Sequence, residues 1–156
     1  RLGLAFFPEE RGIFASLNVN ENLLLPPMIR PGGMSVAEIH ALFPNLKERE
    51  KSQGTKLSGG EQQMLAIGRI LRTGAEMLLL DEPTEGLAPV IVDQLADIFN
   101  RVAGQGTALL LIEQNLSLVA RVAHRYLAIA KGAVVAEGTV EATPEGMQAL
   151  AAHVAV

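Results

Sequence analysis

The sequence predicts an α/β fold built on a mostly parallel sheet with an inserted helical subdomain, and three observations predict it. Met77–Leu80 and Ala108–Ile112 are continuous apolar runs without polar alternation, the pattern of strands covered on both faces. Helical patterns alternate with these runs, as in a sheet wound with crossover helices. A further apolar run, Leu2–Phe7, is separated from Met77 by an irregular and helical stretch from Glu9 to about Gly74, which reads as an insertion between two core strands. The 156 residues suit one domain, with the insertion over about 9–74 and the core in 1–8 and 75–156.

The elements follow in order. Leu2–Phe7, stopped by Pro8, is a buried strand. Pro26, Pro27, Pro31, Gly32 and Gly33 interrupt residues 9–35, which leaves space for a short helix over Asn20–Leu25 with Asn20 as its cap. Ser35 caps a helix over Val36–Phe43, where Val36, Ile39 and Phe43 share a face, and Pro44 ends it. Lys47–Lys56 is polar and reads as a mobile loop. Ser58 and Glu61 have the spacing of a capping box. The helix they open runs to about Thr73, with Met64, Leu65, Ile67 and Leu71 inward and Arg69 and Arg72 near its negative end, until Gly74 stops it. After the strand Met77–Leu80, Pro89 suits the first turn of a helix with the stripe Ile91, Leu95, Ile98, Phe99 and Val102, terminated by Gly104 and Gly106. Ala108–Ile112 is the next buried strand, and Asn115 caps a helix to about Ala123. Tyr126–Ala130 and Ala133–Ala136 flank Lys131-Gly132 as a hairpin, and a last helix covers about Glu145–Ala152.

Composition narrows the function. With 49% hydrophobic residues, 4% aromatics and no Trp, the core is aliphatic. A net charge of −4 and the lack of a basic patch argue against nucleic acid as a partner. The most basic neighbourhood, Lys47–Lys56, also holds Glu48 and Glu50 and reads as a solvated loop. Without cysteine there is neither a disulfide framework nor a thiolate metal site. No apolar run approaches the ~18 residues of a membrane span. Arg1–Phe7 lacks the small-residue cleavage region of a signal peptide and reads instead as a strand that begins abruptly. His40, His124 and His153 belong to no motif and read as surface or helix-end residues.

Two strings carry chemistry. Leu57-Ser58-Gly59-Gly60-Glu61-Gln62-Gln63 sets a hydroxyl, two glycines and a helix start side by side. Glycines let the backbone approach phosphate oxygens, Ser58 Oγ can donate to them, and the helix start supplies partial positive charge. Alone, the string would be an ordinary cap. The second string, Met77-Leu78-Leu79-Leu80-Asp81-Glu82-Pro83-Thr84, ends a strand in two carboxylates. The C-terminal edge of a parallel sheet is where ligands bind. There Asp81 can hold Mg²⁺, directly or through water, and Glu82, on the other side of the strand, can polarise an attacking water. Alone, an Asp-Glu pair would be a strand end turning polar. The phosphate-cradling string G-x-x-x-x-G-K-[ST] does not occur.

In this order and spacing the two strings resemble the signature and Walker B motifs of ABC-type ATPases, and the resemblance covers nearly the whole chain. Phe6-Phe7-Pro8-Glu9 resembles the family's Q-loop, with Glu9 where glutamine is usual. Thr84-Glu85-Gly86-Leu87-Ala88-Pro89 resembles the D-loop, with Ala88 replacing the usual aspartate. Leu110-Leu111-Ile112-Glu113-Gln114-Asn115 resembles the switch strand, with Gln114 where most members carry histidine. These departures are coherent: they resemble the ATP-binding subunits of branched-chain amino-acid importers and their urea and amide relatives, as does Ala41-Leu42-Phe43-Pro44-Asn45-Leu46-Lys47-Glu48.

The resemblance implies a P-loop NTPase-like fold, ATP and Mg²⁺ as cofactors, and hydrolysis by positioning and electrostatics. It implies two facing ATPase subunits, identical or paralogous. Leu57, Ser58, Gly59, Gly60 and Glu61 would then serve the partner's ATP, while Asp81, Glu82, Glu9 and Gln114 serve the chain's own. Asp81 and Glu9 take the metal, Glu9 through water or Mg²⁺. Glu82 and Gln114 are the catalytic pair; Gln114 can donate a hydrogen bond but cannot carry an imidazolium's charge, so it positions rather than acts as an acid. Transmembrane permease subunits are the further partners, with the insertion, roughly 9–60, docked on them at the cytoplasmic face of the membrane and the subunit peripheral. Two other readings stand beside this one. One is a truncated, non-catalytic module that keeps only signature and docking surfaces. The other is a DNA-repair or chromosome-organising ATPase, whose heads share the motifs but carry long coiled coils; sustained heptads are absent here. Because the P-loop string is absent, the 156 residues alone are expected to bind ATP weakly and to be inactive. The resembled sheet places the P-loop strand next to the switch strand and near Walker B, so both Met77–Leu80 and Ala108–Ile112 are expected to lack backbone neighbours.

Overall fold

A computed structural model describes residues 3–8 and 10–154. Glu9, assigned above to cofactor and metal, lies outside the described residues. The core is a three-stranded parallel sheet of β1 (Leu4–Phe7), β2 (Met77–Asp81) and β3 (Ala108–Ile112), in spatial order β1-β2-β3. Leu4 pairs with Met77 and Met77 with Ala108, and the register holds to Asp81 beside Ile112. The insertion therefore leaves β1 and returns to the strand next to it.

This arrangement corrects two expectations. Met77–Leu80 does not lack neighbours, because β1 and β3 pair with it on either side; within this sheet, as far as the described residues show, the free edges belong to β1 and β3. Nor are the apolar runs buried on both faces. Ala5, Phe7, Leu78 and Leu80 are buried, whereas Leu4, Phe6, Leu110 and Ile112 of the opposite face are exposed. The reason is packing: the long helices α4 (Gly59–Leu71) and α5 (Pro89–Gly104) lie against the same core as the first set.

Within the insertion, α1 (Val19–Leu24), α2 (Val36–Leu42) and α3 (Pro44–Glu48) gather around α4. The cap of α1 is Asn18 and not Asn20: Asn18 and Glu21 form a reciprocal capping box. Pro44 ends α2 but also opens α3 from its first position, where a missing N–H costs nothing. Lys47–Lys56 is not a loose loop. It contains the end of α3, a 3₁₀ turn over Gly54–Lys56, and a bridge between Gln53 and Asn18. Buried Asn22 holds the chain ahead of α1 by donating to the carbonyls of Phe14, Leu17 and Asn18 and accepting from Phe14 N–H.

Ser35 and Ser58 cap α2 and α4 with capping boxes. Gly74, at φ +67°, turns the chain out of α4 towards β2 in a conformation suited to glycine. Asn115 caps α6 (Leu116–Val122) by accepting from Ser117 and Leu118 N–H. A separate antiparallel hairpin follows, β4 (Arg125–Ala130) and β5 (Ala133–Thr139), turning through Lys131 and Gly132 at φ +50° and +79°. Two successive positive φ values match the twist of paired strands. The final helix, α7 (Pro144–Val154), stacks His153 on Tyr126 of the hairpin.

Candidate active site

The site lies at the C-terminal ends of β2 and β3. Asp81 closes β2 beside Ile112. Glu82 follows with its N–H donating to the Ile112 carbonyl at 2.9 Å and its backbone at φ +45°. That left-handed conformation is strained for a side chain with a Cβ, at about 1–3 kcal/mol, and persists only where the surroundings enforce it. The result is that Glu82 reaches across to the turn after β3, where Gln114 Nε2 donates to its Oε1 at 2.8 Å. The two proposed catalytic residues thus touch, although 32 positions separate them in sequence.

Glu113, next to Gln114, accepts four hydrogen bonds. Thr84 donates through N–H and Oγ1 to one carboxylate oxygen, and the N–H groups of Gln114 and Asn115 donate to the other. The Pro83–Thr84 turn is held from the opposite side as well: Gln63 Nε2, on the first turns of α4, donates to the Pro83 carbonyl at 2.6 Å. Gln63 in turn accepts from Arg11 Nε at 2.7 Å.

The signature residues divide into two groups. Leu57 buries its side chain, and its carbonyl accepts from Gln62. Glu61 accepts from Ser58 N–H and faces Arg49 at 3.7 Å. Both are engaged within the insertion. Ser58 and Gly59 are exposed and Gly60 half-exposed at the start of α4, so these three form its accessible surface. Among the described residues they share no hydrogen bond with Asp81, Glu82 or Gln114, and Gln63, later on the same helix, bonds to the turn that follows Glu82. Among the described residues no cluster of three or more His, Cys, Asp or Glu side chains could hold a metal. Asp81 is half-exposed at the end of β2, a single carboxylate of the kind that holds Mg²⁺ together with phosphate and water ligands.

Sequence reasoning gave no role to Glu113, Gln63, Thr84 or Arg11. Glu113 and Thr84 stand inside strings already singled out, but their mutual contact depends on β2 and β3 being adjacent.

The sequence profile of the ABC transporter family matches residues 1–85. The chain belongs to the ABC transporter family. Among relatives, the high-affinity branched-chain amino acid transport ATP-binding protein BraG of Pseudomonas aeruginosa is 38% identical over 142 residues, 89% of this chain and 61% of its own length. The probable branched-chain amino acid transport ATP-binding protein LivF of Archaeoglobus fulgidus is 32% identical over 143 residues, again 89% of this chain and 61% of its own. The chain thus spans about three-fifths of the curated ABC proteins it matches. Among solved structures, an ATP-binding subunit of an ABC transporter superposes with a TM-score of 0.73 at 27% identity, over 90% of this chain and 60% of that one. A dimeric post-hydrolysis state of an ATP-binding cassette bound to ADP and Pi gives 0.77 at 21% identity, over 88% and 63%, a likeness of fold. The ABC ATPase fold is therefore established for this chain. Among the described residues, no helix is long and apolar enough to cross a membrane.

Proposed function

We propose that this chain is the signature and Walker B portion of an ATP-hydrolysing subunit that drives uptake of branched-chain amino acids. The carrying observation is the hydrogen bond between Glu82 and Gln114 at the carboxyl edge of the parallel sheet, directly after Asp81. With Gln114 donating to one oxygen of Glu82, the other is left to accept a proton from an attacking water. A bound Mg²⁺ supplies neutralisation of phosphate charge, and Asp81 is the residue that would hold it. Ser58, Gly59 and Gly60 face a phosphate held by a second ATP-binding subunit, so hydrolysis needs two copies or a paralogue. Permease subunits dock on the insertion at the cytoplasmic face. Supporting that, exposed Leu24, Leu25 and Met28 adjoin in sequence Pro26, Pro27 and Ile29, which with Phe6, Pro8 and Arg69 line a cleft of about 350 Å³. The likeness to BraG and LivF supports the solute class; urea or amide uptake is the alternative.

In the intact subunit, Glu82→Gln keeps the shape, loses the basicity, and is expected to abolish turnover by ~10²-fold or more while sparing ATP binding. Hydrolysis within about threefold of wild type would remove Glu82 from the role, that margin lying well below a general base's contribution. Uptake of labelled leucine and of urea in a strain lacking the subunit separates the solute readings. Loss of urea uptake alone would assign it to the second.

The residues 1–156 by themselves contain no G-x-x-x-x-G-K-[ST]. That favours weak or absent ATP binding by this piece alone, to be checked by titration calorimetry; micromolar affinity would contradict it.

A further inference from the structure

We infer that Glu113 and Gln63 are positioning residues that act through the Pro83–Thr84 turn to hold Glu82 against Gln114; the inference rests on the hydrolytic reading above. A left-handed glutamate must be held in place by its neighbours, and two sets of bonds do so. On the β3 side, the Glu113 carboxylate joins two turns. One oxygen takes Thr84 N–H at 3.1 Å together with Thr84 Oγ1, and the other takes Gln114 N–H at 3.0 Å and Asn115 N–H at 2.9 Å. All of its acceptor capacity is spent on these two turns. On the insertion side, Gln63 is 1% exposed and uses both ends of its amide: Nε2 donates to the Pro83 carbonyl, and Oε1 accepts from Arg11. A continuous line of hydrogen bonds therefore runs from Arg11 through Gln63, the Pro83–Thr84 turn, Glu113 and Gln114 to Glu82. Arg11 sits at φ +61°, so both ends of the line are strained residues. The insertion, whose α4 presents the signature residues, is thereby tied to the geometry of the hydrolytic pair.

The chemistry of the amide makes the inference testable. Gln63→Glu keeps an acceptor for Arg11 and loses the donor to Pro83. Glu113→Gln keeps the size but replaces one oxygen by an NH₂ group, which must then face N–H donors on one of the two turns. In the intact subunit, each is expected to lower kcat by about tenfold or more with the KM for ATP within about threefold, as displacement of a reacting group by a fraction of an ångström would. Thr84→Val, which is buried and nearly isosteric, should do the same, and Thr84→Ser should restore the rate. In a Gln114→Ala background, Glu113→Gln should add little further loss, because the two act as one unit. The effect on folding is read separately from thermal unfolding, so a variant that merely destabilises is recognised by a lowered Tm with an unchanged kcat below it. If Glu113→Gln and Thr84→Val leave kcat within about threefold while Glu82→Gln is inactive, the positioning role is overturned and the hydrolytic reading stands. Additive losses from Glu113→Gln and Gln114→Ala would overturn the shared route. An active Glu82→Gln would bring down the reading itself, and this inference with it.

Discussion

At the scale of single residues, backbone conformation and burial decide more than identity. The Asp-Glu string makes Glu82 a hydrolytic candidate, but its φ of +45° and its contact with Gln114 are stated by no string of letters. His40 shows the same on a smaller scale: it reads as a surface or helix-end residue and does stand in the last turn of α2, yet it is 9% exposed and its Nε2 lacks a partner among the described residues. Burial holds its pKa below the ordinary imidazole value, Lys47 adds to the effect, and Glu50 opposes it. The folded state therefore resists a proton that the unfolded chain accepts. Stability should be constant above the unfolded pKa of about 6.5 and fall as pH drops below it towards the folded pKa. Urea unfolding of the intact subunit at about pH 7.5 and about pH 5.5 checks this, and His40→Gln should flatten the difference. Equal slopes for wild type and variant would show that His40 is not the group responsible. Ser58 gives the second residue-scale prediction. It is exposed at the start of α4, away from Asp81 and Glu82. Ser58→Arg should block hydrolysis while the subunit's own ATP binding persists, and undiminished hydrolysis by the homodimer would refute a role in trans.

At the scale of elements, local signals were legible and long-range ones were not. The caps Ser35, Ser58 and Asn115 were readable because each bond closes within three residues. The first helix is capped by Asn18, not by Asn20: the N-x-x-E spacing of Asn18 and Glu21 carries the capping box. The close contact of α4 with the helices around it is a tertiary matter, and it yields a prediction at Gly68. A Cβ there would lie 2.9 Å from Ile39 Cγ2 and 3.1 Å from Leu23 Cδ2, where α1 and α2 press on α4. Alanine would gain about 1 kcal/mol in helix propensity. Overpacking of a closed core costs about 1–3 kcal/mol. Gly68→Ala should therefore be net destabilising by on the order of 1 kcal/mol in denaturant unfolding; a stabilised variant would mean that Leu23 and Ile39 move aside freely.

At the scale of the whole molecule, the described structure covers only one face of its sheet. Phe6, Leu110 and Ile112 are exposed on the other, and β3 pairs only with β2 among the described residues. Contiguous apolar surface and an open strand edge both invite association. Residues 1–156 expressed alone should therefore self-associate in size-exclusion chromatography. A monodisperse monomer that unfolds cooperatively above about 55 °C would overturn this. The core strands, the longer helices and the two strings at Ser58 and Asp81 are legible along the chain, whereas α3 and the 3₁₀ turn at Gly54–Lys56 are not. Helix periodicity, caps and glycine or proline breaks act over a few residues and leave their mark in order along the chain. Packing alone sets β2 between β1 and β3, covers the apolar runs on one face, and brings Glu113 and Gln63 onto the same turn. Those contacts join residues about twenty to seventy positions apart. Their geometry follows from how the strands and helices pack, which hydrophobic pattern constrains by face but not by neighbour.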